Sequence, residues 1–187
     1  EKDHCKTAKI VYGLETKDKF FLNLITNIAV KSILKQFIND PYFGVLPEEI
    51  PNYHIGYYVA RSTDDALLTH IDSYIPHTGN FPTIMQCLFA LEKQTLKNGC
   101  TYVVPESHLY GKYPDQKIEY ESSNNILSNP GDLIIWDARI WHGTRKNNTN
   151  DTRWALVVTF MRFWIKARLD ATRNITKEYY SSLNDEQ

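Results

Sequence analysis

The sequence predicts a mainly β fold, a sandwich or barrel with a few packing helices, and three observations predict it. From Tyr53 onward, short apolar runs recur at 54–60, 83–91, 100–104, 132–136 and 153–165. Turn-rich segments at 76–82, 97–99, 105–117, 122–131 and 143–152 separate them, and short strands punctuated in this way build sandwiches and barrels. Aromatic residues are plentiful, with 12 Tyr, 8 Phe and 4 Trp, and such side chains suit pleated, half-buried surfaces.

Residues 1–17 are mixed and polar and are expected to be irregular or to hold one short strand. From Asp18 the period becomes helical: Phe21, Leu24, Ile25 and Ile28 recur at helical spacing, then Val30, Ile33, Leu34 and Phe37. The phase shift near Asn27 predicts two short helices, and Asn39-Asp40-Pro41 ends the second. Their apolar stripes are expected to pack on a sheet. Ala66-Leu67-Leu68 leads into a further strand, and the run at 132–136 follows a Pro130-Gly131 turn. The run at 153–165 is apolar at both parities, the mark of a strand covered on both faces. With no internal repeat or linker, one domain over residues 1–187 is expected: a helical segment at about 18–39, a β core at about 53–165 and a tail at 166–187.

Composition narrows the function classes. The chain has 187 residues, 42% hydrophobic and 23% charged, with a formal net charge of -1, an ordinary globular balance. No basic stripe points to nucleic acid, and no apolar run reaches the roughly 20 residues of a membrane span. Cys5, Cys87 and Cys100 are odd in number and lack paired spacing, which reads as reduced thiols. With no secretory signal visible, the expected placement is cytoplasmic and the expected state a monomer. The chain begins Glu1-Lys2-Asp3 without an initiator Met, which leaves open whether a targeting segment precedes it. Three N-x-T tripeptides, at Asn147, Asn150 and Asn174, are read as chance matches.

The chemistry concentrates in one constellation. His70-Ile71-Asp72 sets two metal-capable groups at i and i+2, which share a face if the segment is a strand. A two-histidine, one-carboxylate facial triad needs one more imidazole. His142 is the best candidate, following a strand and opening the Gly143-Thr144 loop. Eleven residues later stands Arg153, at the head of the longest apolar run. A hairpin through the polar segment 143–152 would return it beside His142. A buried guanidinium must be paired, and the carboxylate of a ligand is a natural partner for its fork. Thr144, on the same face as His142 if extended, could donate to that carboxylate.

Gln86 and Tyr58 are candidates to face the co-substrate or the pocket and could also be plain strand residues. Arg139 and Arg162 are candidate anchors for an anionic substrate, and Tyr74 and Phe81 candidate apolar walls. His77 reads as a surface loop residue, His108 and Asp132 as turn residues, Cys100 as a buried hydrophobe, and Trp136 and Trp141 as packing. His-x-Asp alone is weak. The joint pattern of His-x-Asp, Asn98-Gly99, Gly131-Asp132, His142-Gly143-Thr144 and Arg153 is much stronger.

That joint pattern resembles the phytanoyl-CoA dioxygenase family of iron(II)/2-oxoglutarate oxygenases. The matching stretches are THIDSY (69–74), FALEKQTLKNGCTYVVPESH (89–108), NPGDLIIWDARIWHGTRKN (129–147) and TRWALVVTF (152–160), and the resemblance covers roughly residues 20–187. It implies a double-stranded β-helix, the jelly-roll or cupin-like core. It also implies that His70, Asp72 and His142 bind Fe(II), and that Arg153 and Thr144 hold the distal carboxylate of 2-oxoglutarate. The implied reaction consumes O2, releases succinate and CO2, and hydroxylates an unactivated C–H bond of a small molecule. Halogenases of this superfamily carry a small residue in place of the carboxylate, so Asp72 favours hydroxylation. Pro105-Glu106-Ser107-His108 matches the family's PGSH-like turn, with Glu106 where Gly is usual. Two other readings use the same residues. A zinc hydrolase lacks its H-E-x-x-H helix here and leaves Arg153 without a purpose. A non-catalytic jelly-roll binding protein would not need all three ligand positions filled.

Overall fold

The computed structural model describes residues 9–40, 51–167, 169–185 and 187. Among these residues, nine strands form two antiparallel sheets. The larger has the order β1 (Lys9–Tyr12), β2 (Tyr53–Ser62), β9 (Ala155–Arg162), β4 (Ile84–Ala90) and β7 (Leu133–Asp137). The smaller has the order β3 (Leu67–His70), β8 (His142–Thr144), β5 (Thr101–Val103) and β6 (Asn124–Ile126). From β2 on, the chain alternates between the sheets except at the β5–β6 pair, which is the expected jelly-roll path.

The helices cover the outer face of the larger sheet. Asp18 caps α1 (Lys19–Ile25), its carboxylate accepting from Phe20 N at 2.8 Å, and Asn27 caps α2 (Ile28–Ile38), accepting from Ala29 N at 2.9 Å. Asn27 is therefore both the phase break and the second start signal. Leu22, Ile25, Val30, Leu34 and Ile38 pack against Met85, Cys87, Phe89, Leu156, Val158 and Phe160. Each fully buried side chain of this kind contributes roughly 1.5–3 kcal/mol. The alternate residues Ala155, Val157 and Thr159 face the other way, into the space between the sheets, so both parities of β9 are buried.

Several local expectations change. β6 and β8 fall in or beside segments read as turns, because three-residue strands carry too little periodicity to be recognised. The segment 143–152 is no hairpin. It carries the chain from β8 in the smaller sheet to β9 in the larger one. A short helix, α3 (Lys177–Ser181), stands in the tail. Arg139 and Arg162 serve the fold rather than an anionic ligand: Arg139 pairs with Asp137 at 2.7 Å and donates to Gly79 O, while Arg162 donates to Pro82 O and, at the end of α2, to Phe37 O. Cys87 and Cys100 are buried free thiols, while Cys5 and Pro41 lie outside the described residues. No helix among the described residues is long and apolar enough to cross a membrane.

Candidate metal centre

In the cleft between the sheets, His70, Asp72 and His142 each offer a ligand atom, all within 4.8 Å of one another. The sheet register explains the pair of imidazoles, since His70 ends β3 directly opposite His142 at the start of β8. Their rings lie 4.3 Å apart, centre to centre. His70 Nδ1 meets Leu68 O at 2.8 Å and His142 Nδ1 meets Ile140 O at 2.9 Å. A carbonyl only accepts, so each Nδ1 carries a proton and each Nε2 is turned to the shared point, the nitrogen a metal would take in exchange for its proton.

Asp72 stands one step beyond expectation. β3 stops at His70, and Asp72 lies in the bend that follows, its N–H and that of Ser73 both donating to Ala138 O. Its carboxylate lies 3.0 Å from His142 Nε2 through Oδ2 and 3.5 Å from His70 Nε2 through Oδ1. Burial pushes this carboxyl up, yet the charge and hydrogen bonds of His142 and His70 outweigh it and hold it well below the usual carboxylate range. Burial works against the charged form of His142, and Asp72 reverses that, raising the imidazole.

Arg153, two residues ahead of β9, is buried at the same cleft, its Nε donating to Thr63 O at 3.2 Å and its N–H to Ser62 Oγ. Thr144 lines the cleft too, and its Oγ1 accepts from Leu67 N at 3.1 Å, which leaves its own O–H to donate. Leu67, Leu88, Ala155 and Val157 make the apolar walls.

Two sequence candidates do not join this set. Tyr58 faces the helices, its ring edge-on to Phe21. The register slips between Ile55 and Tyr57, a bulge at Gly56. Ile55 and Tyr58 therefore face the helices and Tyr57 the cleft. Gly inside a strand was the available signal. Gln86 points inward but does not line the cleft, because its amide is committed to Asp72 and Tyr57 at 2.8 and 3.1 Å. Besides Tyr57, the lining residues that were missed include two donors. Arg61, near the end of β2, brings a second guanidinium, and Trp136, read as packing, brings an indole 5.3 Å from the His142 ring. Arg61 Nε and Trp136 Nε1 are buried donors with no hydrogen-bond partner among the described residues.

Fold and site together define a double-stranded β-helix protein with two imidazoles and a carboxylate gathered beside buried guanidinium. Residues 5–155 match the family model described as Phytanoyl-CoA dioxygenase (PhyH), and the chain belongs to that family. Among curated relatives it is 20% identical over 159 residues to Dioxygenase af480 of Aspergillus fumigatus, covering 80% of this chain and 47% of that protein. It is 29% identical over 86 residues to Uncharacterized protein Rv1501 of Mycobacterium tuberculosis, covering 46% of this chain and 32% of that protein. The chain thus spans less than half the length of these two relatives. Its fold is similar to HygX from Streptomyces hygroscopicus with nickel and 2-oxoglutarate bound, at TM-score 0.71, 14% identity and coverage of 89% and 74% of the two chains. It is also similar to the alpha-ketoglutarate-dependent epimerase SnoN from nogalamycin biosynthesis, at TM-score 0.60, 17% identity and coverage of 83% and 61%.

Proposed function

We propose that this chain is an Fe(II)- and 2-oxoglutarate-dependent oxygenase that hydroxylates a C–H bond of a small molecule, with His70, Asp72 and His142 as metal ligands. The observation that carries the reading is the convergence of the three ligand atoms within 4.8 Å, with both Nδ1 atoms already engaged. Two imidazoles and one carboxylate are the donor set of non-haem iron(II) oxygenases. The unpartnered donors Arg61 Nε and Trp136 Nε1 in the same walls fit an acceptor-rich ligand. Such a centre, when loaded, supplies the coupling of 2-oxoglutarate decarboxylation, to succinate and CO2, with oxidation of a substrate C–H bond by O2.

The chain's own residues do the rest. Arg153 binds the distal carboxylate of the co-substrate, Thr144 donates to it, and Arg61 adds a second positive charge. The apolar walls exclude water, which strengthens these charged contacts. HygX and SnoN, with 2-oxoglutarate and an epimerase activity in their respective descriptions, are compatible with a co-substrate here.

Incubation of the protein with Fe(II), 2-oxoglutarate and O2 is expected to yield succinate, and the anaerobic mixture a weak visible band absent with either component alone. A protein that takes up zinc, gives neither signal and hydrolyses a substrate would replace this reading with the hydrolase. Tight 2-oxoglutarate binding without turnover across a broad substrate panel would replace it with a binding protein.

A further inference from the structure

Asp72 is the one member of the triad outside a strand, so no ladder of backbone hydrogen bonds sets the rotation of its side chain. What meets its carboxylate from the protein interior is Gln86, fully buried in β4 with hydrogen-bonded strands on both sides. Gln86 Nε2 donates to Asp72 Oδ2 at 2.8 Å. The rest of the amide belongs to a row of side chains crossing the larger sheet, in which Tyr57 pairs with Thr159 and Thr159 with Gln86. Thr159 Oγ1 donates to Gln86 Oε1 at 2.7 Å, and Gln86 Nε2 donates to Tyr57 Oη at 3.1 Å. Both ends of the amide are thereby held, from β9 and from β2. Turned over, the amide would aim its oxygen at a carboxylate that only accepts. Asp72 therefore fixes which end of Gln86 faces it, and the Thr159 and Tyr57 hydroxyls hold the rest of the amide.

We propose that Gln86 is a positioning residue that holds the Asp72 carboxylate in its metal-binding rotation, and that Thr159 and Tyr57 hold Gln86. This inference rests on the metal-centre reading above. It assigns Gln86 to the protein ligand rather than to the co-substrate.

The test is titration of metal-free protein with Mn(II), read by the electron paramagnetic resonance signal of the free ion, with metal-free melting curves run alongside. Gln86→Met keeps length and removes the donor, and it is expected to weaken Mn(II) binding about 10- to 100-fold, as loss of a ligand's orienting partner does. Thr159→Val leaves Gln86 in place but removes the hydroxyl that donates to its Oε1, and is expected to weaken binding in the same direction. Thr159→Ser, which restores the hydroxyl, is expected to recover wild-type affinity. Should Gln86→Met fail to fold, the Thr159 pair decides alone. Wild-type affinity in folded Gln86→Met and in Thr159→Val overturns the proposal, including the case in which Gln86→Met lowers only the metal-free melting temperature. Asp72→Ala separates the two levels. If it too binds Mn(II) like wild type, the metal-centre reading falls. If it alone loses the ion, only the role of Gln86 does.

Discussion

Gly143 offers a direct test of how tightly the centre is built. It lies between His142 and Thr144 in β8, which is flanked by β3 and β5 in the smaller sheet. A Cβ at this position would stand 2.4 Å from Leu67 O and 2.5 Å from Tyr102 Oη. That is about 1 Å short of the 3.4 Å at which ordinary contact begins. Neither neighbour can yield easily. Leu67 O is backbone, and the Tyr102 hydroxyl is tied to Thr69 Oγ1 at 2.8 Å while its ring lies under the Arg145 guanidinium. Gly143→Ala must therefore push β8 away from β3. Overpacking of this kind costs about 1–3 kcal/mol, which for a chain of this size lowers the melting temperature by roughly 2–12 °C. The displaced strand carries His142 away from its register partner His70. Metal–ligand distances tolerate only about 0.2 Å, so metal affinity is expected to fall at least about tenfold even in the folded fraction. Thermal denaturation and Mn(II) titration check both quantities. A Gly143→Ala protein with wild-type melting and wild-type affinity would refute the idea that close approach of β3 and Tyr102 dictates glycine here.

Three further outcomes are expected. If Arg153 grips the co-substrate carboxylate as proposed, Arg153→Ala removes a charged partner, a loss of about 1.5–3 kcal/mol, so the KM for 2-oxoglutarate should rise roughly 10- to 100-fold with metal affinity unchanged, measured by succinate formation against co-substrate concentration. Glu106 has φ 61, a left-handed conformation in the position where the family's turn usually carries Gly; relief of that strain, about 1–2 kcal/mol, is opposed by about 0.5–1 kcal/mol of glycine's entropy, so Glu106→Gly should leave chemical-denaturation stability unchanged or raise it by about 1 kcal/mol. Burial raises the Glu15 carboxyl above its ordinary 4.5, so the folded state retains the proton longer than the unfolded one and loses stability as pH rises from that value through the raised pKa; Glu15→Gln should increase the melting temperature at about pH 7 and lose that advantage at about pH 4.

The elements most legible in the sequence were those with a long enough period or a strong enough punctuation mark. Asn27 announced the break between α1 and α2, and the double-parity run announced β9 as a strand buried on both faces. His70, Asp72, His142, Thr144 and Arg153 could be singled out because their residue types are costly to bury without a purpose, and all five meet at one cleft. What could not be read was set by pairing. A single extra residue at Gly56 exchanged the faces of Tyr57 and Tyr58. Arg61 lay unnoticed in a strand that ends in polar residues, and the crossing of segment 143–152 between sheets looked from its composition like a hairpin. Periodicity reports which residues share a face only while the register runs unbroken.

The division of labour between the sheets has a mechanical side. The imidazoles and Thr144 hang from the four-stranded layer, while Arg61 belongs to the five-stranded one and Arg153 stands just ahead of its β9. On the proposed reading, a molecule reaching from the imidazoles to these arginines acts as a strut across the sandwich, and the spacing of two stiff layers, rather than the reach of a surface loop, becomes the gauge of its length. A dicarboxylate one carbon longer or shorter would have to wedge or draw together whole sheets, and the helices packed on the larger one resist that far more firmly than a flexible lid would.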